Sequence, residues 1–413
     1  MRLRLLVLGA LGGVAILVLA VAHARWLEVG PQDPCFVRFL RRHARRANAE
    51  AVLPPHGVAV DARGERLDVA EEGSTFQHVL DDRALAAKGR PVPLTLDARL
   101  QARAEALMEG KRGAVVALEP ATGRLRALVS APRANYLNRA LNGLYPPGST
   151  FKVFMAAAAL SQGLDPLFNC PAGGYRSARG TPAIRDVEAR QMARRGKVWR
   201  GFGRLDLASA LVHSSNTYFA QLGVALGPER FGRAVDAARL RDPAVLLAAT
   251  SVSLESAGGG VPDGLRAPEL APVAIGQGAL QLTPLAVAML TAAVANDGVL
   301  PEPTLDAAAR PALRARPFTF EAAGRVKAMM RTVVRAGTGR ACDVPGLDVC
   351  GKTGTAETGR GGRDHAWFTC FAPERTPRLV VTVVVEEGGF GAAAALPVAR
   401  GVLLEAQRLG LLK

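Results

Sequence analysis

Strand-forming segments occur in two groups far apart in the chain, and that separation limits the folds open to it. Ala114–Leu118 and Leu125–Val129 are short apolar runs on either side of Pro120-Ala121-Thr122-Gly123, and they read as a hairpin around a Gly-bearing turn. The next such runs are Leu347–Ala356, His365–Phe371 and Leu379–Glu386. Residues 150 to 340, between the groups, carry mostly helical periodicity with loops rich in Gly, Pro and Arg. One sheet built from both groups has halves drawn from distant sequence, covered by helices that include an all-α insertion. A helix is expected after Leu94-Thr95-Leu96-Asp97, with Asp97 as N-cap for Leu100, Ala104, Leu107 and Met108. A final helix is expected over about Ala394 to Leu409, and Cys170–Arg204 reads as a long loop of the kind that often carries function.

The 413 residues suffice for one large domain and a short appendage. The formal net charge of +16 invites a nucleic-acid reading, but among 52 basic residues only seven are lysine, and the arginines are scattered through an alanine-rich background. That distribution reads as coding bias, not as a polybasic face, and no nucleic acid is expected as a partner. A basic protein at a membrane is still drawn to anionic lipids and wall polymers. Leu5–Ala22 is an apolar run behind Arg2 and Arg4, long enough for a minimal transmembrane helix or a signal-peptide core. Ala22-His23-Ala24 has the small-x-small form of a cleavage site, whereas an uncleaved anchor would have Arg41, Arg42, Arg45 and Arg46 cross the membrane. The anchor is the expected reading, and either one exports the rest of the chain. Of the cysteines Cys35, Cys170, Cys342, Cys350 and Cys370, none shows metal-ligand spacing. In an oxidising compartment Cys342–Cys350 or Cys350–Cys370 would pair, and the alternative is that they are buried thiols.

Three constellations carry chemistry: Ser149-Thr150-Phe151-Lys152, Ser214-Ser215-Asn216 and Lys352-Thr353-Gly354-Thr355. Alone, the first reads as a helix cap with a solvated lysine, the second as a polar turn between helices, the third as a polar strand end. Each pattern occurs once, in this order, and in a fitting local context. Pro146-Pro147-Gly148 leads into Ser149 as a turn opening a helix, which puts the hydroxyl at the positive end of the helix dipole and Lys152 one turn later on the same face. A serine so placed gains a base and a field that favours a developing alkoxide. In a chain that writes arginine almost everywhere, lysine is kept at 152 and 352, and lysine can give up its proton when buried, which arginine cannot. Ser214 and Asn216 are suited to relay a proton and hold a substrate amide, while a strand at Lys352–Thr355 offers its backbone to an extended peptide, with Gly354 allowing close approach. His213, His365, Trp367 and Phe368 take structural readings, and the arginines of 176–200 read as a solvated loop.

These motifs resemble the penicillin-binding proteins, specifically the monofunctional class B transpeptidases. The likeness runs from Val92 to the C-terminus and includes Leu94-Thr95-Leu96-Asp97, Gly113 to Leu118, Asn138-Arg139-Ala140, Ala274-Ile275-Gly276-Gln277-Gly278, Leu282-Thr283-Pro284 and Ala295-Asn296-Asp297-Gly298. It implies an α/β (α+β) fold of the serine β-lactamase and penicillin-binding transpeptidase type, an antiparallel sheet flanked by helices with an all-α subdomain and a cleft at one edge. It implies that Ser149 is acylated by a D-Ala-D-Ala stem peptide, with Lys152 as base, Ser214 as proton shuttle and Asn216 as peptide ligand. Lys352, Thr353, Gly354 and Thr355 would bind substrate, and the backbone N–H groups of Ser149 and Thr355 would form the oxyanion hole. No metal or cofactor is expected. Implied partners are peptidoglycan stem peptides or their lipid-linked precursor, β-lactams and a polytopic membrane glycosyltransferase, with the chain single-pass in the inner membrane and its catalytic domain outside. The expected organisation is 1–25 anchor or signal, 26–92 a reduced pedestal-like region, and 93–413 the transpeptidase domain. The departure is N-terminal: His56-Gly57-Val58-Ala59-Val60-Asp61-Ala62-Arg63-Gly64 keeps the glycines and Asp61 of the family's Arg-Gly-x-Ile-x-Asp-Arg-x-Gly motif and loses both arginines.

Rival readings are a DD-carboxypeptidase, a β-lactamase and a non-enzymatic β-lactam receptor. A receptor needs a further membrane relay, and no second hydrophobic segment of sufficient length is present. A hydrolytic β-lactamase of one group positions water with a glutamate after the Ser-x-Asn motif. Pro243-Ala244-Val245-Leu246-Leu247 offers no acid, and Glu255 lies in glycine-rich surroundings. The acyl-enzyme formed with penicillin is therefore expected to persist when followed by intact-protein mass spectrometry, and rapid turnover of penicillin would favour the β-lactamase.

Overall fold

The computed structural model describes residues 57–69, 74–133, 137–358 and 363–413. The Leu5–Ala22 run, Cys35, the Arg41–Arg46 cluster and His56 lie outside the described residues. Among the described residues no helix is long and apolar enough to cross a membrane. The chain forms two compact units, the smaller taking the described residues within 1–58 and 70–92 together with Ala249–Ser253. Its helix α1, Thr75–Ala86, is capped by Ser74, whose side chain accepts from Gln77 N–H, and Asp81 Oδ1 of that helix accepts from Gly57 N–H at 2.8 Å.

The larger unit, Ala59–Val69, Pro93–Ala248 and Leu254–Lys413, holds the sheet. Its strands are β1 Gly113–Leu118, β2 Leu125–Ala131, β3 Cys350–Ala356, β4 His365–Ala372 and β5 Leu379–Val385, in the order β3-β4-β5-β1-β2. Every pairing is antiparallel, so β5 joins the late group of strands to the early one. The run Leu-Val-Val-Thr-Val-Val-Val of β5 is buried throughout, as a central strand covered on both faces requires.

Alternation along the strands sorts side chains between two helical layers. On one face Val115, Ala117, Phe368, Cys370, Val381 and Val383 pack with helices α2, Ala98–Met108, and α9, Gly391–Arg408. Asp97 caps α2 by accepting from Arg99 and Leu100 N–H groups. On the other face lies α7, Pro284–Ala295, which is apolar all round and almost entirely buried. Its one polar link to the sheet is a chain of hydroxyls, Thr291 to Thr369 at 2.7 Å and Thr369 to Thr382 at 2.7 Å. The helical insertion supplies α3, Lys152–Ser161, α4, Val187–Arg194, α5, Leu207–His213, α6, Asn216–Ala237, and α8, Phe320–Ala336.

The structure decides between the two cysteine readings and corrects the loop reading of the Cys170 stretch. First, the described cysteines are free and buried. Cys350 stands opposite Phe371 and Gly351 opposite Cys370, so alternation points Cys350 and Cys370 to opposite faces, while Cys342 shares the α9-side core with Cys370. Neither Cys342–Cys350 nor Cys350–Cys370 is bonded. Second, the stretch from Cys170 is not structureless: Phe168–Pro171 pairs antiparallel with Gly201–Leu205, with α4 between. Gly201 and Gly203 dilute the strand pattern there. The reduced motif forms a short hairpin, Ala59–Val60 paired antiparallel with Arg66–Leu67, with Arg63 in its turn. Arg63 binds Asp61 Oδ2 at 2.5 Å and Asp97 Oδ2 at 2.9 Å, tying that hairpin to the cap of α2.

A buried ion pair fixes the approach to Ser149. Arg139, with 3% of its side chain exposed, donates through Nε to Glu386 Oε1 at 2.8 Å, and Tyr145 OH donates to the same oxygen at 2.7 Å. Tyr145 also exchanges backbone hydrogen bonds with Leu282, next to Thr283, the N-cap of α7. Arg139→Ala leaves Glu386 with Arg112 Nη2 at 2.9 Å and the Tyr145 hydroxyl, so it is expected to lower stability by about 1–3 kcal/mol in urea denaturation, as loss of a charge-assisted hydrogen bond does. A change under about 0.5 kcal/mol would show that the pair is solvated in practice.

Candidate active site

Three backbones converge where α3 begins. A turn of 3-10 helix, Gly148–Phe151, runs into α3, and Gly148 has φ +53°. Its N–H donates to Gly276 O at 2.9 Å, and a Cβ on Gly148 would lie 2.6 Å from Thr355 O. Gly276, at φ +77°, would place a Cβ 1.9 Å from Gly148 O. Only glycine permits both the left-handed backbone and these approaches. Ser149 is thereby held beside the end of β3, half-buried, in the first turn where N–H groups have no helical acceptor.

Lys152 is fully buried. Its Nζ donates to Ser214 O at 2.6 Å and Asn216 Oδ1 at 2.7 Å and lies 5.5 Å from the centre of the Phe219 ring. Burial lowers its pKa to about 7, against the opposing pull of Asp186 and Glu188. Ser214 ends α5 in the left-handed conformation, φ 58° and ψ 35°, and Ser215 caps α6. That tight reversal is what lets the Ser214 carbonyl and the Asn216 amide face the same amine.

Lys352 is fully buried as well, and its Nζ donates to Ser214 Oγ at 2.7 Å and Thr353 O at 3.0 Å. Burial, and then the Lys152 charge, hold its pKa well below the ordinary value. Two ammonium groups facing each other out of water disfavour full protonation of the pair. In the register, Lys352 stands opposite Thr369 and Gly354 opposite Trp367 on the face toward α3, where a Cβ on Gly354 would meet Thr150 Cγ2 at 2.9 Å. Thr353 and Thr355 project to the opposite face, Thr353 Oγ1 lying 2.6 Å from Thr338 Oγ1 and Thr355 Oγ1 accepting from Gly391 N–H at 3.5 Å.

Four of the expected residues, Lys152, Ser214, Asn216 and Lys352, thus meet in one hydrogen-bonded cluster, with Ser149 in the turn that precedes Lys152, Gly354 on the same face of β3 and the two threonine hydroxyls on the other. His213 lies against the Phe202 ring, His365 Nδ1 accepts from Glu387 N–H, and Trp367 and Phe368 are fully buried. The length of the Cys170–Leu205 excursion suggests a role, but sequence reasoning missed the residues through which it acts. Arg185 O accepts from Asn216 Nδ2 at 3.1 Å, Asp186 lies behind the turn, and Glu188 has its pKa raised by burial and feels the Lys152 charge. Beyond the length of the segment, the signal for these residues was a pair of acids, Asp186 and Glu188, in a stretch otherwise rich in arginine.

The family described as penicillin binding protein transpeptidase domain matches residues 113–404, more than half the chain. The chain belongs to the penicillin-binding protein transpeptidase family. It is 32% identical over 344 residues to peptidoglycan D,D-transpeptidase PbpA of Mycolicibacterium smegmatis, covering 72% of this chain and 68% of that one. Among solved structures, it resembles the D,D-transpeptidase domain of a peptidoglycan glycosyltransferase from Eggerthella lenta, with TM-score 0.70 and 28% identity, over 86% of this chain and 100% of that one. It likewise resembles the ceftriaxone acyl-enzyme of penicillin-binding protein A from M. tuberculosis, with TM-score 0.70 and 27% identity, over 86% and 90%. In a penicillin-binding transpeptidase with this lysine pair, acylation by penicillin should rise as pH increases through about 7, where Lys152 loses its proton, and level off above it. Lys152→Arg should abolish that rise and slow acylation by about two to four orders of magnitude. A pH-independent wild-type rate would contradict the protonation state assigned to Lys152.

Proposed function

We propose that this chain is a peptidoglycan D,D-transpeptidase that cross-links stem peptides through an acyl-enzyme on Ser149. The observation that carries the reading is the hydrogen bonding of Lys152. A neutral amine has two N–H donors and one lone pair, and the two bonds to Ser214 O and Asn216 Oδ1 use both donors. The lone pair is left for a proton, and the hydroxyl at the head of the same helix supplies it. Ser149 Oγ attacks the carbonyl of the penultimate D-Ala, and its proton passes to Lys152. The carbonyl oxygen takes up negative charge within reach of the Ser149 and Thr355 N–H groups. The C–N bond then breaks, and Ser214 Oγ, held by Lys352, relays a proton to the departing D-Ala amine. The amine of a second stem peptide attacks the ester and gives a proton to Lys152, the new C–N bond forms as the ester C–O bond breaks, and Lys152 returns the proton to Ser149 Oγ. Asn216 and the edge of β3 align the donor peptide, and Lys352, on the same face of that strand as the cluster, draws its terminal carboxylate.

Penicillin enters by the same route, its lactam C–N bond taking the place of the peptide bond. In this reading residues 1–25 anchor the chain in the inner membrane with the catalytic domain outside, residues 26–92 form a reduced pedestal and 93–413 the transpeptidase domain. A polytopic membrane glycosyltransferase is the partner that supplies the strands to be joined. Fluorescent penicillin should label the wild type and not a folded Ser149→Ala protein. A stem-peptide donor with an amine acceptor should yield the cross-linked amide. Labelling that survives the substitution would remove Ser149 as nucleophile, and release of free acid alone would make the protein a carboxypeptidase.

A further inference from the structure

Behind the Ser214–Asn216 turn, away from the cleft, lies a buried carboxylate. Asp186, 3% exposed, accepts through Oδ1 from Ser215 Oγ at 2.9 Å and from Thr217 N–H at 3.0 Å. Ser215 Oγ in turn accepts from Tyr218 N–H at 3.1 Å as the cap of α6. The preceding residue, Arg185, takes the Asn216 amide on its carbonyl. Two consecutive residues of the excursion thus hold three consecutive residues of a turn whose first member, Ser214, occupies a backbone conformation that L side chains seldom adopt. That conformation persists only where its surroundings over-determine it, and Asp186 contributes by bonding Ser215 and Thr217, which follow Ser214.

We infer that Asp186 is a positioning residue for acyl transfer, its carboxylate fixing Ser215 and Thr217 so that Ser214 and Asn216 meet Lys152. The inference rests on the transpeptidase reading of the site. A bond from Oδ1 on each side of Asn216 leaves the turn little freedom, while Oδ2 and Thr217 Oγ1 are buried with no hydrogen-bond partner. Lys152 is faced by Asp186 and Glu188 from the excursion and by Lys352 from β3. Asp186 itself is neighboured by the Cys170 thiol, which also contacts Ser215 Oγ, and by Glu188. Removing the Asp186 charge takes away the larger of the two acidic contributions that keep Lys152 basic.

Three variants separate geometry from charge, each read as the second-order rate of acylation by benzylpenicillin against pH. Asp186→Asn keeps an oxygen acceptor for both bonds and drops the charge. Its plateau should stay within about threefold of wild type, while its midpoint moves to lower pH. Asp186→Ala loses both bonds, and its plateau should fall about a hundredfold, as misplacement of catalytic groups does. Ser215→Ala loses one of the two bonds to Asp186 together with the Tyr218 cap bond and keeps the charge, giving a smaller loss with an unmoved midpoint. Wild-type plateaus and midpoints in all three would overturn the inference. If Asp186→Ala does not fold, an unshifted midpoint in Asp186→Asn together with a full plateau in Ser215→Ala overturns it. A wild-type protein that benzylpenicillin does not acylate at all would instead overturn the transpeptidase reading.

Discussion

Lys152 and Lys352 are both removed from water and face each other across Ser214, and the rest of the site is arranged around that fact. An isolated ammonium in such surroundings would be expelled or discharged. Here the surroundings supply three acceptors to the pair from the one turn, Ser214 O, Ser214 Oγ and Asn216 Oδ1, with Thr353 O as a fourth from β3. The lysines are therefore hydrogen-bonded yet depleted of charge. That combination suits a group asked to accept a proton near neutrality and pass it on.

The fold serves this arrangement by bringing together three stretches of chain that the sequence keeps apart. Lys152 comes from the helix that follows the early hairpin, Ser214 and Asn216 from the helical insertion, and Lys352 from the edge strand of the late group. Their meeting depends on close backbone packing at Gly148, Gly276 and Thr355, and on the buried Arg139–Glu386–Tyr145 contact that steers the chain into the Ser149 turn. The contact spans 247 residues between Arg139 and Glu386 and adds a side-chain link to the early–late junction that the pairing of β5 with β1 makes through the backbone.

What could be read from sequence follows the range of the interactions. Strands show as apolar runs, and Asp97 as a cap, because the information lies within a few residues. Ser149, Lys152, Ser214, Asn216 and Lys352 stood out because their spacing within each motif is short and repeats a known pattern. Asp186, Glu386 and Arg63 did not, since each acts through partners that only the tertiary fold brings near. The cysteines show the same limit from the other side. A disulfide pairing cannot be judged without strand register, and the register of β3 and β4 sends Cys350 and Cys370 to opposite faces. The Gly-rich strand at Gly201–Leu205 carried too little pattern to be distinguished from a loop.

The discharge of Lys152 is the claim on which the proposed chemistry rests, and it can be measured without substrate. The chain contains only seven lysines, so protein labelled with 13C at lysine Cε gives a tractable NMR titration, with the Lys152 signal assigned by its loss in Lys152→Arg. The account predicts a midpoint near 7 for that signal, against an ordinary lysine value of 10.5. A midpoint at the ordinary value would leave Lys152 a fixed cation at neutral pH and Ser149 without its base.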